Sequence, residues 1–568
     1  MTSAPDDALP EAQPSLSPSE TGEYSHAQIL TILSGLMLGM FLAALDQSIV
    51  GTAIRTIADD LNGLSIQAWV TTAYLITSTI TTPIYGKLGD IYGRKKLFTF
   101  AIVVFVFGSV ACSFAWSMYS LAVFRALQGL GAGGLFTLVL AIIGDIVSPR
   151  ERAKYTGYFM AVFGTSSVLG PVIGGLFADA DSILGVTGWR WVFLVNVPIG
   201  IAALAVVSRT LHLHHHRQDS RIDWWGASAL VVGLVPLLTV AEQGRDWGWT
   251  SGRSVTCYVV GALGVLLFLA VERMMGDDAL IPLRIFKIRT AGVVIVSSVV
   301  IGAAMFGAIT VLPQYMQIVH GASPMKSGFM MLPMVAGIMT AAASSGIITS
   351  RTGKIRIFPI IGTGFATLGL FLLSRVDADT SSIVMMLFMF VFGYGLGNTM
   401  QPLTVIVQNA VPPQEIGVAT SAATFFRQIG GTLGVAVFLS VLFNSLGTNI
   451  KDAITSAART PEWAAAMQDP TVMSNPANQS LVDSLQNPGS GGGIVDSVQN
   501  DSSVISRLSD VFAHPFKVGF AQSMDEVFLL AGIVSIAAFL VLLLMPKIEL
   551  RGQSASAARA AAAAEPPA

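Results

Sequence analysis

Charge is scarce in this sequence. Only 12% of its 568 residues are Asp, Glu, Lys or Arg, whereas 53% are hydrophobic. A soluble domain carries about 25% charged residues, so the surface of a globular protein of this length could not be solvated. This composition argues against a water-soluble enzyme and favours a polytopic membrane protein.

Cysteine and histidine are missing from the places where they would carry chemistry. The two cysteines, Cys112 and Cys257, lie inside apolar runs, which argues against a disulfide framework or a cysteine metal site. None of the seven histidines lies in the middle of an apolar run. This absence argues against an intramembrane metal site and against a membrane enzyme that uses histidine.

Signs of nucleotide and nucleic-acid binding are also lacking. The sequence has no G-x-x-x-x-G-K-[ST] loop, so direct use of ATP is not expected. The net charge of −2 gives no indication of nucleic-acid binding. We therefore predict a protein that is not an enzyme and that needs no cofactor or metal.

Long charge-free stretches are what the sequence has instead. A transmembrane helix needs about 20 mostly apolar residues, and fourteen stretches are candidates. They are 24–45, 61–86, 97–124, 126–144, 155–178, 191–208, 224–241, 254–271, 290–325, 327–350, 357–374, 380–414, 428–450 and 527–546. The sequence therefore predicts an all-α polytopic membrane protein with 14 transmembrane helices.

The distribution of Lys and Arg predicts the orientation. Most of these residues lie in the loops after the even-numbered spans and in the C-terminal tail. Because cytoplasmic loops carry the excess of positive charge, we expect both termini in the cytoplasm and the protein in the plasma (inner) membrane.

Three segments differ in composition from the spans. Residues 1–27 are acidic and rich in Pro and Ser, which predicts a disordered cytoplasmic tail. Residues 547–568 form an Ala-rich cytoplasmic tail. Residues 447–522, rich in Gly, Asn and Ser, are predicted to be a long extracellular loop, either a tolerated insertion or a lid or partner site. Within it, residues 503–520 recover an amphipathic pattern, which predicts a surface helix leading into the last span.

The loop after the second span carries the most specific motif, G-K-L-G-D-I-Y-G-R-K-K at residues 86–96. Small residues let helix ends approach closely, and an aspartate can pair with a nearby base or with a helix N-terminus. Such a contact can hold two helix bundles together at one face. The predicted motif residues are Gly86, Asp90, Gly93, Arg94 and Lys95. The alternative is that the positive charges of this loop only set the orientation of the protein in the membrane.

This loop resembles the signature of the major facilitator superfamily, and the span count resembles its fourteen-helix drug:proton antiporter branch (EmrB/QacA type). Further stretches are similar to that branch: L-D-Q-S-I-V at 45–50, W-R-W-V-F at 189–193, N-V-P at 196–198, W-G-W at 247–249 and I-P-L-R-I-F at 281–286. The resemblance implies a major facilitator fold. It predicts an N-terminal six-helix bundle over 28–210, two extra helices with linkers over 211–289, and a C-terminal six-helix bundle over 290–546.

Two charges stand out within the predicted helices. A charged side chain at membrane depth is costly and is by default a functional hypothesis. Asp46 is the only acidic residue well inside a predicted bundle helix, and Arg125 belongs to the fourth helix. A buried carboxyl group beside an arginine can exchange a proton as water access changes, and the resemblance links the arginine to proton coupling. The alternatives are a helix–helix hydrogen bond for Asp46 and a structural tether for Arg125.

The fifth span contains a glycine–proline motif. Residues 164–175 resemble the superfamily's antiporter motif G-x-x-x-G-P-x-x-G-G, with Ser166 at the first glycine position. Such a sequence bends a helix and lets it pack closely on a neighbour, and the resemblance associates it with export. The predicted motif residues are Gly170, Pro171, Gly174 and Gly175. The alternative is a kink without a role in coupling.

Weaker signals point to a substrate cavity. Its predicted lining residues are Gln47, Trp69, Tyr74, Gln128, Asn398, Gln401 and Arg427. Two interpretations of Arg427 are open. It has a gating role, or its side chain reaches back to the cytoplasmic membrane interface. Within the limits given above, spans nine to fourteen contain no acidic residue. This absence argues against a strong preference of the transporter for divalent cationic substrates.

Together these features predict a proton-coupled antiporter that exports lipophilic drugs or toxic compounds across the plasma membrane by alternating access. The expected partners are small lipophilic substrates, protons and membrane lipids, and the protein is expected to be a monomer. One alternative is an exporter dedicated to one endogenous lipid or natural product. Another is a membrane scaffold or receptor without transport.

Overall fold

The computed structural model describes residues 24–61, 68–178, 180–211, 223–486, 505 and 507–551. Most of the predicted tails at 1–27 and 547–568, and residues 487–504 of the predicted loop, lie outside the described residues.

Helices account for nearly all of the described chain, which confirms the predicted all-α fold class. In the N-terminal part they are α1 (His26–Asp60), α2 (Ala68–Tyr92), α3 (Arg94–Ser113), α4 (Met118–Ile146), α5 (Pro149–Ala178), α6 (Trp191–Leu194), α7 (Asn196–Thr210), α8 (Trp224–Trp247) and α9 (Gly252–Met275). In the C-terminal part they are α10 (Arg284–Lys287), α11 (Arg289–Ile318), α12 (Pro324–Met330), α13 (Leu332–Thr352), α14 (Ile357–Leu373), α15 (Ser382–Ala410), α16 (Ile416–Ala457), α17 (Pro461–Gln468), α18 (Pro470–Met473), α19 (Pro476–Gln486) and α20 (Asp510–Leu543).

Twelve helical stretches of the described chain are long and apolar enough to cross a membrane. Helix α14 is a shorter apolar helix, and α2 is not among the twelve. Helix α2 is rich in Thr and Ser, and hydroxyls such as those of Thr77, Thr81 and Thr82 donate to carbonyls of their own helix. Every predicted span overlaps a helix, but the count of fourteen membrane crossings stays a prediction.

The boundary between the third and fourth spans was predicted wrongly. The stretch 97–124 is not one helix, because α3 ends at Ser113 and α4 begins at Met118. The apolar run continues through the turn, so the length of the charge-free stretch did not indicate where one helix ends and the next begins. The turn is marked by a capping box, in which Ser117 and Ser120 each accept a hydrogen bond from the other's backbone N–H. Arg125 therefore lies about two turns inside α4.

The helices pack as two groups joined by a hairpin. In the N-terminal group α2 and α3 pack on α4, and α1 packs on α5 and α7. In the C-terminal group α11 and α20 pack on α16, and α13 and α14 pack on α15. Helices α8 and α9 pack on each other, and α8 also contacts both α2 and α16. The predicted domain limits at 28–210, 211–289 and 290–546 stay predictions.

The two groups touch along a few helices. Helix α16 packs on α2 and α4, and α5 packs on α13. The loops rich in Lys and Arg, such as residues 93–96 and 147–154, lie at one end of these helices. We call this end the basic end.

Helices extend into the predicted loop 447–522. Helix α16 has 42 residues, which makes it about 63 Å long, and α20 begins at Asp510. Apolar residues at helical spacing explain both extensions, and Trp463 of α17 packs against Phe512 with ring centroids 4.6 Å apart. We call α17 to α19, with the adjoining parts of α16 from Leu446 and of α20 up to Met524, the cap. It lies at the end opposite the basic end.

A short hairpin lies between α5 and α6. Strand β1 (Ser182–Ile183) pairs antiparallel with β2 (Val186–Thr187). Both turn residues have positive φ, 51° at Leu184 and 77° at Gly185, which is the geometry of a tight hairpin turn.

Candidate functional site

Asp46 of α1 and Arg125 of α4 form a buried ion pair. Asp46 is 0% exposed and Arg125 is 1% exposed, and Oδ2 of Asp46 lies 2.6 Å from Nη1 of Arg125. The fold thus brings together the two charges that the sequence singles out. Burying a carboxylate and a guanidinium is tolerated only when both are paired and hydrogen-bonded.

Neutral side chains form the other hydrogen bonds of this ion pair. Oδ1 of Asp46 accepts hydrogen bonds from Nε2 of Gln128 at 2.8 Å and from Nδ2 of Asn196 at 2.7 Å. Oε1 of Gln128 accepts from Arg125 at 2.7 Å, and Asn196 also donates to Ser109 at 2.9 Å. The network therefore joins α1, α3, α4 and α7, and we call it the Asp46 network.

An aromatic face completes the surroundings of Arg125. Its guanidinium carbon lies 4.0 Å from the centroid of the Tyr74 ring, which is a cation–π distance. Tyr74 and Gln128, predicted to line a cavity, are thus contacts of the Asp46 network. Among the described residues, the Tyr74 hydroxyl has no hydrogen-bond partner.

Asp90 connects the two groups of helices at the basic end. Its Oδ1 lies 2.9 Å from Nη2 of Arg94, and its Oδ2 accepts a hydrogen bond of 3.0 Å from the backbone N–H of Val418 in the first turn of α16. A carboxylate at a helix N-terminus is stabilised by the unpaired N–H groups there. A Cβ atom on Gly417 would collide with this carboxylate. We call this group of residues the Asp90 contact.

Gly86 and Gly93 shape the Asp90 contact. A Cβ atom on Gly86 would collide with Ser421 of α16, so glycine lets α2 and α16 touch. Gly93 has a φ of 94°, a backbone conformation that favours glycine, and it separates α2 from α3. Lys95 lies outside the contact, since its Nζ donates to the carbonyl of Ser208 at the end of α7.

Asp145 and Arg152 extend the contact, and sequence reasoning missed both. Nε of Arg94 lies 3.0 Å from Oδ2 of Asp145 in α4. Arg152, at the start of α5, donates to Gln408 of α15 and to the carbonyls of Gly144 and Val147. Burial lowers the pKa of Arg152 to about 9, although Asp145 opposes this shift. An arginine in a basic loop gave no sequence signal of burial.

The glycines of α5 pack against α1 close to Asp46. A Cβ atom on Gly170 would collide with Ser48, and one on Gly174 would lie 2.9 Å from the carbonyl oxygen of Ile49. Pro171 lies opposite Gly328 of α12. Gly175 differs, because a Cβ atom there would meet nothing within 4 Å.

The other predicted cavity residues are not joined into one site. Gln47 is exposed, and Trp69 is half-buried with its ring 6.5 Å from that of Trp247 in α8. Asn398 is buried and donates to the carbonyl of Tyr394 in its own helix. The remaining two are Gln401, which is buried, and Arg427, which is half-buried.

The expectation that helices nine to fourteen lack acidic residues was wrong. It rested on a last helix starting at residue 527, whereas α20 starts at Asp510 and contains Asp525 and Glu526. Oδ1 of Asp525 is buried and has no hydrogen-bond partner among the described residues. Glu526 lies beside Asn449 of α16, so both acids are at the base of the cap, in the group of helices that does not contain Asp46.

Comparisons with known proteins agree with this architecture. The family model described as Major Facilitator Superfamily matches residues 36–435. The chain is 35% identical over 478 residues to the Multidrug transporter protein MdtP of Bacillus subtilis (strain 168), covering 83% of this chain and 86% of that protein. It is 31% identical over 535 residues to Multidrug resistance protein 3 of the same organism, covering 94% and 98%.

A solved structure supports the fold alone. The proton:xylose symporter XylE bound to 6-bromo-6-deoxy-D-glucose aligns with a TM-score of 0.57 at 14% sequence identity, covering 95% of this chain and all of that one. The family match spans most of the chain and confirms the resemblance found in its motifs. The chain therefore belongs to the Major Facilitator Superfamily: it is a multi-pass membrane transporter and not an enzyme.

Proposed function

We propose that this transporter is a proton-coupled antiporter that exports lipophilic drugs or toxic compounds across the plasma (inner) membrane by alternating access. The relatives named for multidrug transport and resistance support this choice of substrate. The observation that carries the proposal is the Asp46 network, in which a buried carboxylate shares one cluster with a buried guanidinium.

Protonation of Asp46 would change the energy of the whole network. The neutral acid no longer balances Arg125, and removing one partner of a buried pair costs about 3–5 kcal/mol. The helices that carry the pair then favour another arrangement, because a bound proton shifts the equilibrium toward the conformation that binds it better. The network contains donors from α4 and α7, so several helices of one bundle would respond together.

The Asp90 contact would set the side from which the cavity opens. It joins α2 to the first turn of α16 across the two groups of helices. The excess of Lys and Arg in the loops at this end supports its assignment to the cytoplasm, with both termini on that side. Release of the contact would open the cavity at this end.

The proton gradient would supply the energy without a cofactor. Moving one proton inward across 100 mV yields about 2.3 kcal/mol, which can sustain a substrate concentration ratio on the order of tens. The Asp46 network and the Asp90 contact each lie within one chain, which supports a monomer as the working unit.

Transport in proteoliposomes with an imposed pH gradient tests the proposal. Asp46→Asn mimics the protonated acid, so it should lower the free energy of unfolding by a similar amount, about 3–5 kcal/mol. The variant should still fold, because asparagine keeps the shape of the side chain and Arg125 keeps its hydrogen bond to Gln128. It should not show proton-driven uptake of a fluorescent drug. Asp452→Asn makes the same change at an exposed position of α16 and should transport normally.

Full proton-driven transport by Asp46→Asn would contradict the proposal, as would dye efflux from cells that continues after an uncoupler collapses the gradient. If no drug in a panel is moved and cells lacking the protein retain one lipid or natural product, the dedicated exporter is supported instead.

A further inference from the structure

Arg427 is a second arginine at membrane depth, and it has no counter-charge. It lies about 16 Å from the start of α16 at a rise of 1.5 Å per residue, which is about half of a hydrocarbon core roughly 30 Å thick. Its side chain is half-buried. Among the described residues it makes no ion pair and no side-chain hydrogen bond.

The acidic residues along α16 cannot neutralise Arg427. Asp90, at Val418, lies about 14 Å back along the helix and is bound to Arg94. Glu415 precedes the helix and is bound to Arg284. Asp525 lies in the other direction, near Asn449, about 33 Å further along α16. Asp46 of the other bundle, which does lie within a membrane helix, is paired with Arg125.

The position of Arg427 in α16 indicates what its side chain faces. A Cβ atom on Gly302 of α11 would collide with the carbonyl oxygen of Arg427, so the two helix backbones touch there. The next residue, Gln428, accepts a hydrogen bond of 3.3 Å from Thr82 of α2. This level of α16 therefore borders the contact between the two bundles.

A half-buried guanidinium without a protein partner at this depth faces either lipid or an internal space. Contact with lipid would leave it without solvation at a cost of several kcal/mol, and the basic end is further away than an arginine side chain can reach. The space between the bundles remains, where a substrate of an alternating-access transporter would bind.

We propose that Arg427 binds the anionic group of the transported molecules, so that amphipathic organic anions such as carboxylates or sulfonates are preferred over lipophilic cations of the same shape. A guanidinium offers a carboxylate two parallel hydrogen bonds. The Asp46–Arg125 pair is neutral overall, so Arg427 gives the space between the bundles a net positive charge. This inference rests on the proposed export function, whose substrate class it specifies.

Binding of two matched probes tests the inference. Both share a fluorescent pyrenylbutyl body, and one ends in a carboxylate while the other ends in trimethylammonium. The protein is held in lipid nanodiscs, and binding to empty nanodiscs is subtracted. We expect the wild-type protein to bind the carboxylate at least about tenfold more tightly, a difference of about 1.4 kcal/mol.

Three variants separate the charge from the fold. Arg427→Gln should remove the preference for the carboxylate, whereas Arg427→Lys should retain part of it because the positive charge remains. Arg375→Gln makes the same charge change at an exposed position and should behave as the wild type. Three outcomes overturn the inference: equal or tighter binding of the ammonium probe, an unchanged preference in Arg427→Gln, or binding of neither probe above empty nanodiscs.

The assay separates this inference from the proposed function because it needs no gradient. Asp46→Asn should keep the probe preference while it loses proton-driven transport. A wild-type protein that discriminates between the probes but moves nothing with a pH gradient would contradict only the antiporter proposal.

Discussion

Asn196 illustrates how much a single neutral side chain contributes to a buried charge. It stands at the start of α7 and donates both to Asp46 and to Ser109. Hydrogen bonds to a charged group are worth more than those between neutral groups, about 1.5–3 against about 0.5–1.5 kcal/mol. The buried carboxylate of Asp46 is therefore stabilised in part by residues that carry no charge.

Removal of the Asn196 amide should destabilise the protein more than removal of a neutral partner. We expect Asn196→Ala to lower the free energy of unfolding by about 1.5–3 kcal/mol and Ser109→Ala by about 0.5–1.5 kcal/mol. Denaturant unfolding of the purified variants in detergent measures both values. Equal losses for the two variants would show that Asn196 does not support the charge of Asp46.

The charged members of this site can be predicted from sequence, whereas Asn196 and Ser109 cannot. Asp46 and Arg125 interrupt apolar stretches, so each is conspicuous by itself. Asn196 and Ser109 are ordinary residues near helix ends, and Asn196 meets its partner across 150 positions of the chain. No local pattern encodes such a contact, and the residues predicted for a cavity were grouped by type because their positions in space were unknown.

At the scale of whole helices, the contact between α2 and α16 depends on small residues. Gly86 faces Ser421, and Gly417 faces Asp90. The two helices can approach to this distance only while neither position carries a side chain. The predicted role of the glycine motif agrees with this geometry, although its part in transport stays a prediction.

A side chain at Gly86 should hold α2 and α16 apart. Cysteines placed at Thr82 and Gln428, whose side chains are hydrogen-bonded across the two bundles, should cross-link readily in a background without Cys112 and Cys257. We expect Gly86→Val to slow this cross-linking strongly. Gly175→Val adds the same side chain where it meets nothing within 4 Å and should leave the rate unchanged. An equal rate in Gly86→Val would show that the approach of the helices does not need this glycine.

Helix type was easier to predict than helix length. Apolar length identifies the membrane segments, but the turn at residues 114–117 is itself apolar and was missed. The start of α16 was missed for the opposite reason, because this helix extends through a segment that contains polar and charged residues. The amphipathic pattern at 503–520 did indicate a helix leading into the last span, and α20 begins within it at Asp510. Packing partners, more than hydropathy, determine where these helices begin and end.

At the scale of the whole molecule, two kinds of contact hold the basic end together. Arg152 is buried at the contact of α5 with Gln408 of α15. Arg284 is half exposed and pairs with Asp277 after α9 and with Glu415 before α16. Buried charges and exposed ion pairs differ strongly in energy.

Arg152 should therefore matter more for stability than Arg284. We expect Arg152→Gln to lower the free energy of unfolding by about 3–5 kcal/mol, because the carbonyls of Gly144 and Val147 lose their donor and buried Asp145 loses a nearby positive charge. Arg284→Gln should change it by less than about 1 kcal/mol. Parallel denaturant titrations compare them, and a larger loss for Arg284→Gln would reverse this ranking.

Because α16 is long, a small rotation at one end produces a large displacement at the other. Its first turn holds Asp90, and its far end lies in the cap about 63 Å away. If α16 moves as a rigid rod, a tilt of about 10° at the first turn displaces the last by about 11 Å. A fluorophore on the cap would then report each opening of the basic end without touching the substrate path. An antibody fragment that restrains the cap would slow transport, although it binds at the end of the molecule opposite the basic end.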